Sequence, residues 1–302
     1  MKKQINNLSQ IAYARRYELT DGKERGVKII EVDNGVLRFL LNESKALDIA
    51  QLWHRGMNVS FVCKNGIVGR EVAYASRFEG GMLYTCGLDN IGAREGFEIH
   101  GALHCTPAKI ISVVCDEEKI EVVGEIEMTA LFGQDLVLKR TISTKIGSDK
   151  VSVSDLLTNK GTKEENYCLL YHCNVGYPML DEGVTVEQDA SSVIPRTKHA
   201  EDHIGDRTLF PAPVDNEEES CYYIKNNVPK ITVTNKKLNK KLILTYTGET
   251  LPCQVQWVTN ASHDYALGIE PSTSFMDGYF EYKTIAPGQA IAFGVTFEVV
   301  GL

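Results

Sequence analysis

The fold is decided by the stretch Val27-Lys28-Ile29-Ile30-Glu31-Val32-Asp33-Asn34-Gly35-Val36-Leu37-Arg38-Phe39-Leu40-Leu41. Two runs rich in β-branched and apolar residues flank the turn Asp33-Asn34-Gly35. Because Asn-Gly supplies the positive φ that a primed turn requires, the stretch predicts a β-hairpin. Runs of the same kind recur to the end of the chain.

The other candidate strands are short β-rich runs separated by turn residues, several with the alternation of Val151-Ser152-Val153-Ser154. They cover residues 108–115, 119–130, 135–146, 150–158, 184–189, 230–234, 241–247, 253–258, 265–270 and 290–299. Helical periodicity is weak: residues 4–17 predict a short helix, and 43–51 a helical turn or two. Many strands without long helices predict an all-β fold, a large antiparallel β-sandwich.

Domain organisation follows from what the chain lacks. No Pro- or Ser-rich linker divides it, so we expect a single domain over residues 1–302, with a short N-terminal extension of about residues 1–25 packed on it. The most polar stretch, residues 195–220, includes Glu217-Glu218-Glu219 and three prolines and predicts a long surface loop. Loops of this length either form the lid or rim of a functional site or are solvent-exposed segments without a role in one.

Composition limits the class of partner. No run approaches the roughly 18 apolar residues of a membrane span, and the first residues are polar, so we expect a cytoplasmic protein without a membrane partner. A formal net charge of -8 argues against nucleic acid, whose binders need a basic face. Eight cysteines without a CxxC pair are expected to be reduced thiols. This composition is better suited to binding a neutral or small polar molecule than to binding nucleic acid.

Two segments each carry a group suited to proton transfer. His172 follows an apolar run, and its imidazole titrates near neutrality, which makes it a candidate proton donor. Glu270 directly follows the apolar stretch Leu267-Gly268-Ile269. A carboxylate that an apolar strand carries inward needs a charged partner, a raised pKa or a function. For each residue alone, a purely structural role stays open.

A third segment, residues 77–108, is rich in glycine and contains Arg77, His100 and His104. Its glycines do not follow the strand-to-helix GxGxxG arrangement, so a dinucleotide site is not supported. The spacing of His100 and His104 would suit zinc ligands on a helix, but the surrounding Gly and Pro disfavour a helix.

Together these segments resemble the galactose mutarotase-like superfamily, and within it the aldose 1-epimerase family proteins. The matching motifs run from about residue 50 to the C terminus in matching order: Arg55-Gly56, 81–88, His100-Gly101, Pro107-Ala108, 171–178, 268–273 and 285–289. The resemblance implies a large single-domain β-sandwich with a sugar groove on a concave sheet.

The resemblance also implies roles for single residues. The histidine matched by His172 is the general acid, the glutamate matched by Glu270 is the general base, and Arg77 and His100 position the sugar. Interconverting α and β anomers requires a proton to leave the C1 hydroxyl while another reaches the ring oxygen, each transfer contributing about 10²–10⁴-fold. After rotation about C1–C2, the pair reverses roles. No metal or other cofactor is implied, the expected partner is a sugar, and a homodimer is compatible.

Neutral sugars are held by planar polar groups and an aromatic platform. This indicates substrate-binding roles for Asn174, Gln254, Gln256, Trp257 and Trp53, and strand alternation puts both glutamines on one sheet face. Arg55, Arg77 and Lys109 could instead serve an anionic sugar, because the guanidinium fork suits phosphate or carboxylate groups.

Three functions are compatible with these residues. The first is an isomerase that interconverts anomers. The second is a non-catalytic carbohydrate-binding or sugar-sensing protein on the same fold, which would need no paired acid and base. The third is a metal-dependent isomerase using His100, His104 and His172. The identity of the sugar, and the acidic residue that contacts it in related mutarotases, stay unassigned.

Overall fold

A computed structural model describes residues 3–302 of the chain. Over this range it forms eighteen β-strands and two short α-helices. The elements are β1 Tyr13–Glu18, β2 Lys28–Asp33, β3 Leu37–Asn42, β4 Asp48–His54, β5 Met57–Asn58, α1 Tyr74–Arg77, β6 Tyr84–Leu88, β7 Lys109–Cys115, β8 Lys119–Thr129, β9 Asp135–Lys145, β10 Lys150–Asn159, β11 Glu165–Val175, β12 Thr185–Pro195, α2 Lys198–Asp202, β13 Ser220–Asn235, β14 Lys240–Tyr246, β15 Cys253–Thr259, β16 Ala266–Ser272, β17 Lys283–Ile285 and β18 Ala290–Gly301.

The strands form two antiparallel sheets. One has five strands in the order β1-β2-β3-β4-β5, and the other has thirteen, whose main path runs β17-β11-β16-β15-β13-β14-β18-β10-β9-β8-β7. The main core lies between them, where Phe39 and Leu41 of β3 join Leu138 of β9 and Val153 of β10 in one cluster. Strands with one face on this core alternate in burial, as β8 and β10 do. The predicted β-sandwich is confirmed.

The predicted hairpin is also confirmed, as β2 pairs with β3 in register from Ile29 opposite Asn42 to Asp33 opposite Arg38. Gly35 takes the positive φ, 88°, that the turn requires. Asn34 has a different role from the one its turn position indicated. Its carboxamide is fully buried, accepts from the N–H groups of Val36 and Leu37, and donates to the β9–β10 turn, which ties the hairpin to the second sheet.

Both helix predictions are wrong. Residues 4–17 contain only a 3₁₀ turn at Leu8–Gln10 before β1, which is the edge strand paired with β2. Residues 43–51 contain a turn, in which Ala46 and Leu47 take positive φ, and the start of β4. Pairing with a neighbouring strand decides both segments against their local helical pattern. The expected extension of about residues 1–25 therefore includes a strand of the five-stranded sheet; its first two residues lie outside the described range.

The polar stretch 195–220 follows the loop prediction except for the short helix α2. Within residues 3–302, no helix is both long and apolar enough to cross a membrane. The eight cysteines are all free thiols, as expected.

Candidate active site

The two proposed catalytic side chains lie on neighbouring strands. β11 pairs antiparallel with β16, with Cys173 opposite Ile269 and Leu170 opposite Ser272, and this register places His172 opposite Glu270. Their side chains project from one sheet face, with 3.3 Å between His172 Nε2 and Glu270 Oε1. Only 5% and 2% of these side chains are exposed. The structure therefore brings together two residues that are almost a hundred positions apart in the chain.

Gly268 makes room for this pair. It lies two residues before Glu270 on the same face of β16 and faces Trp257 across the β15–β16 pairing. A Cβ on Gly268 would lie 2.5 Å from Glu270 Oε1, 3.0 Å from Trp257 Cβ and 3.2 Å from His172 Cε1. The three side chains can converge only because this position carries none.

Burial shifts the two pKa values in opposite directions. Desolvation raises the pKa of Glu270 well above its usual value; the carboxylate of Glu219 adds to this rise and Arg196 opposes it. Desolvation lowers the pKa of His172 well below its usual value, His100 lowers it further, and the Asn174 side chain opposes this change. Both shifts favour the neutral forms, a protonated carboxyl beside an uncharged imidazole.

The pair lies at the base of a cavity of about 510 Å³. Aromatic rings surround the imidazole: the ring centroids of Phe78 and Trp257 are each 5.5 Å from that of His172. Glu219 accepts a hydrogen bond of 2.8 Å from Trp257 Nε1, which holds the indole at the wall. The remaining lining includes Phe61, Tyr74, Ile99, His100, Arg196, Glu217, Asp264 and Met276.

His100, for which the resemblance implies a sugar contact, belongs to this wall. Its ring centroid lies 5.4 Å from that of His172 and 5.1 Å from that of Tyr74. The N–H of Gly92 donates to His100 Nδ1 at 3.2 Å, so the neutral ring carries its proton on Nε2 and can donate from there. Burial lowers the pKa of His100 to about 4, with smaller contributions from His104 and Arg196. The imidazole is therefore neutral at physiological pH.

A buried charge network supports β11 from its other face. Tyr171 donates to Asp155 at 2.7 Å, and the fully buried Arg140 also pairs with Asp155, at 2.6 Å. Arg140 contacts Asp48 as well, and Asp48 in turn bonds His104 at 2.7 Å. The guanidinium thus neutralises two carboxylates that would be costly to bury alone.

Three predicted sugar contacts are oriented away from the cavity or sealed beneath it. Gln254 and Gln256 do share one face of β15, but Trp257 and the cavity are on the other face. Gln254 accepts from Asn226, and Gln256 bonds Gln188 and the carbonyl of Arg207. Asn174 is fully buried and donates to the carbonyls of Gly81 and His172. These three residues do not line the cavity.

The predicted cationic contacts also lie elsewhere. Arg77 is buried and donates to the carbonyl of Val72 and to Glu98, at 2.7 Å. Arg55 and Trp53 line a separate surface depression near Asp149. Lys109 begins β7, on the far edge of the large sheet. None of them lines the cavity around His172.

The histidines of the metal-dependent alternative are not available together. Both ring nitrogens of His104 face carboxylates, with Nδ1 2.7 Å from Asp48 and Nε2 3.1 Å from Glu79. Its ring stacks on Tyr84 with centroids 3.6 Å apart. A side chain held on all sides in this way cannot coordinate an ion shared with His100 and His172, so this alternative is wrong in its choice of ligands.

Sequence reasoning missed Arg196, Glu217 and Glu219 as cavity residues. All three belong to the stretch 195–220, whose length and polarity indicated a loop that could form the rim of a site. It also missed Phe61, Tyr74 and Phe78, whose apolar character gave no reason to separate them from ordinary core residues.

Comparisons with solved structures show the fold. A Klebsiella pneumoniae protein described as a "putative aldose 1-epimerase" superposes with a TM-score of 0.86 at 21% identity, covering 95% of this chain and 83% of its own. A galactose mutarotase-like protein from Clostridium acetobutylicum gives a TM-score of 0.70 at 11% identity, covering 97% and 100% of the two chains. A "putative mutarotase" (YeaD) from Salmonella typhimurium gives 0.67 at 14% identity, with coverage of 99% and 96%. At such identities the likeness concerns the fold alone.

No curated protein matches the chain in sequence. The family model described as "Domain of unknown function (DUF4432)" matches residues 24–299. That span includes both strands of the His172–Glu270 pair and nearly all of the two sheets. The chain is therefore a member of the DUF4432 family, and its fold is the galactose mutarotase-like sandwich.

Proposed function

We propose that this protein is an aldose 1-epimerase-type isomerase, which interconverts the anomers of a sugar by acid–base ring opening with His172 and Glu270. The observation that supports it most is the distance of 3.3 Å between His172 Nε2 and Glu270 Oε1 at the base of a cavity. O1 and O5 of a pyranose are bonded to the same carbon, so an acid and a base that serve both oxygens must lie close together.

The protonation state of the His172–Glu270 pair also supports the proposal. One proton is shared between an imidazole with a lowered pKa and a carboxyl with a raised pKa. Moving it from Glu270 to His172 gives a carboxylate that can accept the C1 hydroxyl proton and an imidazolium that can protonate the ring oxygen. The ring then opens to the aldehyde, which leaves Glu270 protonated and His172 neutral again. Reclosure on the other face runs the two transfers in reverse, and return of the proton from His172 to Glu270 restores the first state. No proton is gained or lost overall.

The charges of the cavity favour a neutral sugar over an anionic one. Its lining contains the carboxylates of Glu217, Glu219 and Asp264, of which Asp264 pairs with Lys64, against one guanidinium, Arg196. That guanidinium is already paired with Asp277, with Nε 2.7 Å from Oδ2. Carboxylates accept hydrogen bonds from sugar hydroxyls and repel phosphate, and the rings of Trp257 and Phe78 offer apolar faces to the sugar.

Polarimetry on a sugar panel tests this proposal. The purified protein should speed the decay of optical rotation of a freshly dissolved α-anomer, with neutral aldoses ahead of phosphorylated and acidic sugars. His172→Ala and Glu270→Gln should each lose about 10²–10⁴-fold of this acceleration. His263→Ala, at an exposed histidine outside the cavity, is the matched control and should retain it.

The outcome that contradicts catalysis is a wild-type protein that accelerates none of the sugars. Saturation-transfer NMR with the same panel then decides between the remaining functions. Binding without acceleration would establish the carbohydrate-binding or sugar-sensing alternative, and absence of both would remove the sugar site.

A further inference from the structure

A second cluster of chemically active side chains lies at the rim of the cavity. His199 and His203 occupy one face of α2 and the turn that follows it, four residues apart, and Glu217 approaches them from the loop that returns to β13. We call these three residues the rim triad. Glu217 Oε1 lies 3.4 Å from His199 Nε2 and 3.7 Å from His203 Nε2. All three side chains are partly buried.

The separations of 3.4 and 3.7 Å are close to those of atoms that share one tetrahedral metal ion. Zn–N bonds of about 2.0–2.1 Å and Zn–O bonds of about 2.0–2.2 Å put the ligand atoms about 3.3–3.5 Å apart. The ligand atoms of the rim triad all lie within 4.8 Å of one another. Among the residues from 3 to 302, no other group of His, Cys, Asp and Glu side chains has this arrangement.

The ring of His203 is held in the orientation that a metal ligand needs. Its Nδ1 lies 3.0 Å from the carbonyl oxygen of His199, so Nδ1 carries the proton and donates it. In the neutral tautomer Nε2 is then the nitrogen with the free lone pair, and it faces Glu217. A backbone carbonyl that fixes the tautomer of a histidine ligand is the usual outer partner in metal sites.

We propose that His199, His203 and Glu217 bind a borderline divalent transition metal, with Zn²⁺ as the ion that fits their geometry best. Two imidazoles and one carboxylate suit Zn²⁺, whereas Mg²⁺ and Ca²⁺ prefer sites made of oxygen ligands alone. Three protein ligands leave a fourth position for water or a ligand hydroxyl. Occupancy would add two positive charges at the mouth of an otherwise acidic cavity and would fasten α2 to the loop 203–219. The proposal does not depend on the anomer chemistry.

Isothermal titration calorimetry with Zn²⁺ on the full chain, freed of any affinity tag and of metal, tests the site. We expect one Zn²⁺ per chain, with affinity lowered at least about 10–100-fold in His199→Ala, His203→Ala and Glu217→Gln. His263→Ala is the matched control and should bind as the wild type does. Circular dichroism checks that each variant is folded, which substitutions at partly exposed positions allow.

A Co²⁺ titration separates the rim triad from the free thiols. Bound Co²⁺ should give the visible bands of tetrahedral coordination without the thiolate charge-transfer band that a cysteine ligand produces, and Zn²⁺ should displace it. The proposal is overturned if Zn²⁺ does not bind in the micromolar range, if all three variants bind as tightly as wild type, or if Mg²⁺ competes equally. A thiolate band lost on blocking the cysteines would assign the bound ion to them instead.

Discussion

Gly268→Ala tests whether the contact between His172 and Glu270 matters for the chemistry. The new methyl group would lie 2.5 Å from Glu270 Oε1, and ordinary van der Waals contact begins at 3.4 Å, so the oxygen must retreat by about 0.9 Å. The backbone and Trp257 Cβ, at 3.0 Å, leave the methyl group little freedom to move instead. The glutamate must therefore change its position relative to the imidazole.

The expected loss follows from that displacement. A misplacement of about 1 Å costs on the order of 10²-fold in rate, which corresponds to about 2.7 kcal/mol of transition-state stabilisation. Overpacking should lower the free energy of unfolding by about 1–3 kcal/mol, with the lower end favoured because the closest atom ends a flexible side chain. Both quantities are measurable: kcat/KM by polarimetry with the most strongly accelerated sugar, and stability by urea unfolding.

Gly301→Ala is the matched control, because Gly301 ends a strand of the same sheet and a Cβ there would meet nothing within 4 Å. It should keep both activity and stability. If Gly268→Ala retains full kcat/KM while remaining folded, the close approach of the two side chains is not required for the reaction, and the mechanism proposed for them is wrong.

Three further predictions concern the charges. Because burial raises the pKa of Glu270, its ionisation opposes folding as pH rises above the ordinary carboxyl range. The free energy of unfolding of Glu270→Gln should match that of the wild type near pH 4 and exceed it by about 0.5–2 kcal/mol at pH 8. Equal stability of the two proteins at both pH values would contradict this. The pH profile of kcat/KM should be a broad plateau around neutrality. Activity should fall in acid, where the His172–Glu270 pair gains a second proton, and in alkali, where the pair loses its single proton. A profile with a single sigmoid step would argue against a proton shared by the two residues. Arg140→Met leaves Asp48 and Asp155 buried without their cation and should lose about 3–5 kcal/mol in urea unfolding, whereas Arg38→Met, at a half-exposed position, should change stability little.

Local sequence patterns were sufficient for most of the strands, whereas the acid and base roles of His172 and Glu270 come from the family resemblance and stay a prediction. The hairpin around Gly35 and the strands from 108 to 158 carry their signals in alternation and turn residues, which act over a few positions. His172 and Glu270 are singled out by their motif contexts and by the resemblance, because either residue alone is also compatible with a purely structural role. Their adjacency depends on the register of β11 against β16, which no local pattern encodes.

The failures have a common physical origin. Alternation correctly placed Gln254 and Gln256 on one face of β15, but which face meets the cavity depends on how the sheets pack. The resemblance implies a sugar contact for Arg77, whereas its guanidinium donates its hydrogen bonds to Glu98 and to a backbone carbonyl. β1 was predicted as a helix because its pairing with β2 is a tertiary contact. Each error concerns partners supplied by distant parts of the chain.

On the proposed function, the register of β11 against β16 separates the reaction from the choice of sugar. The reactive groups are fixed by the spacing of two hydrogen-bonded strands, while Arg196, Glu217 and Glu219 stand on a connecting segment that carries little of either sheet. Connecting segments tolerate insertion and exchange far better than paired strands do. Descendants of such a protein could therefore acquire new substrates by rewriting the loop 195–220 alone, and an engineer who grafts that loop from a relative would be expected to transplant selectivity while leaving turnover chemistry in place.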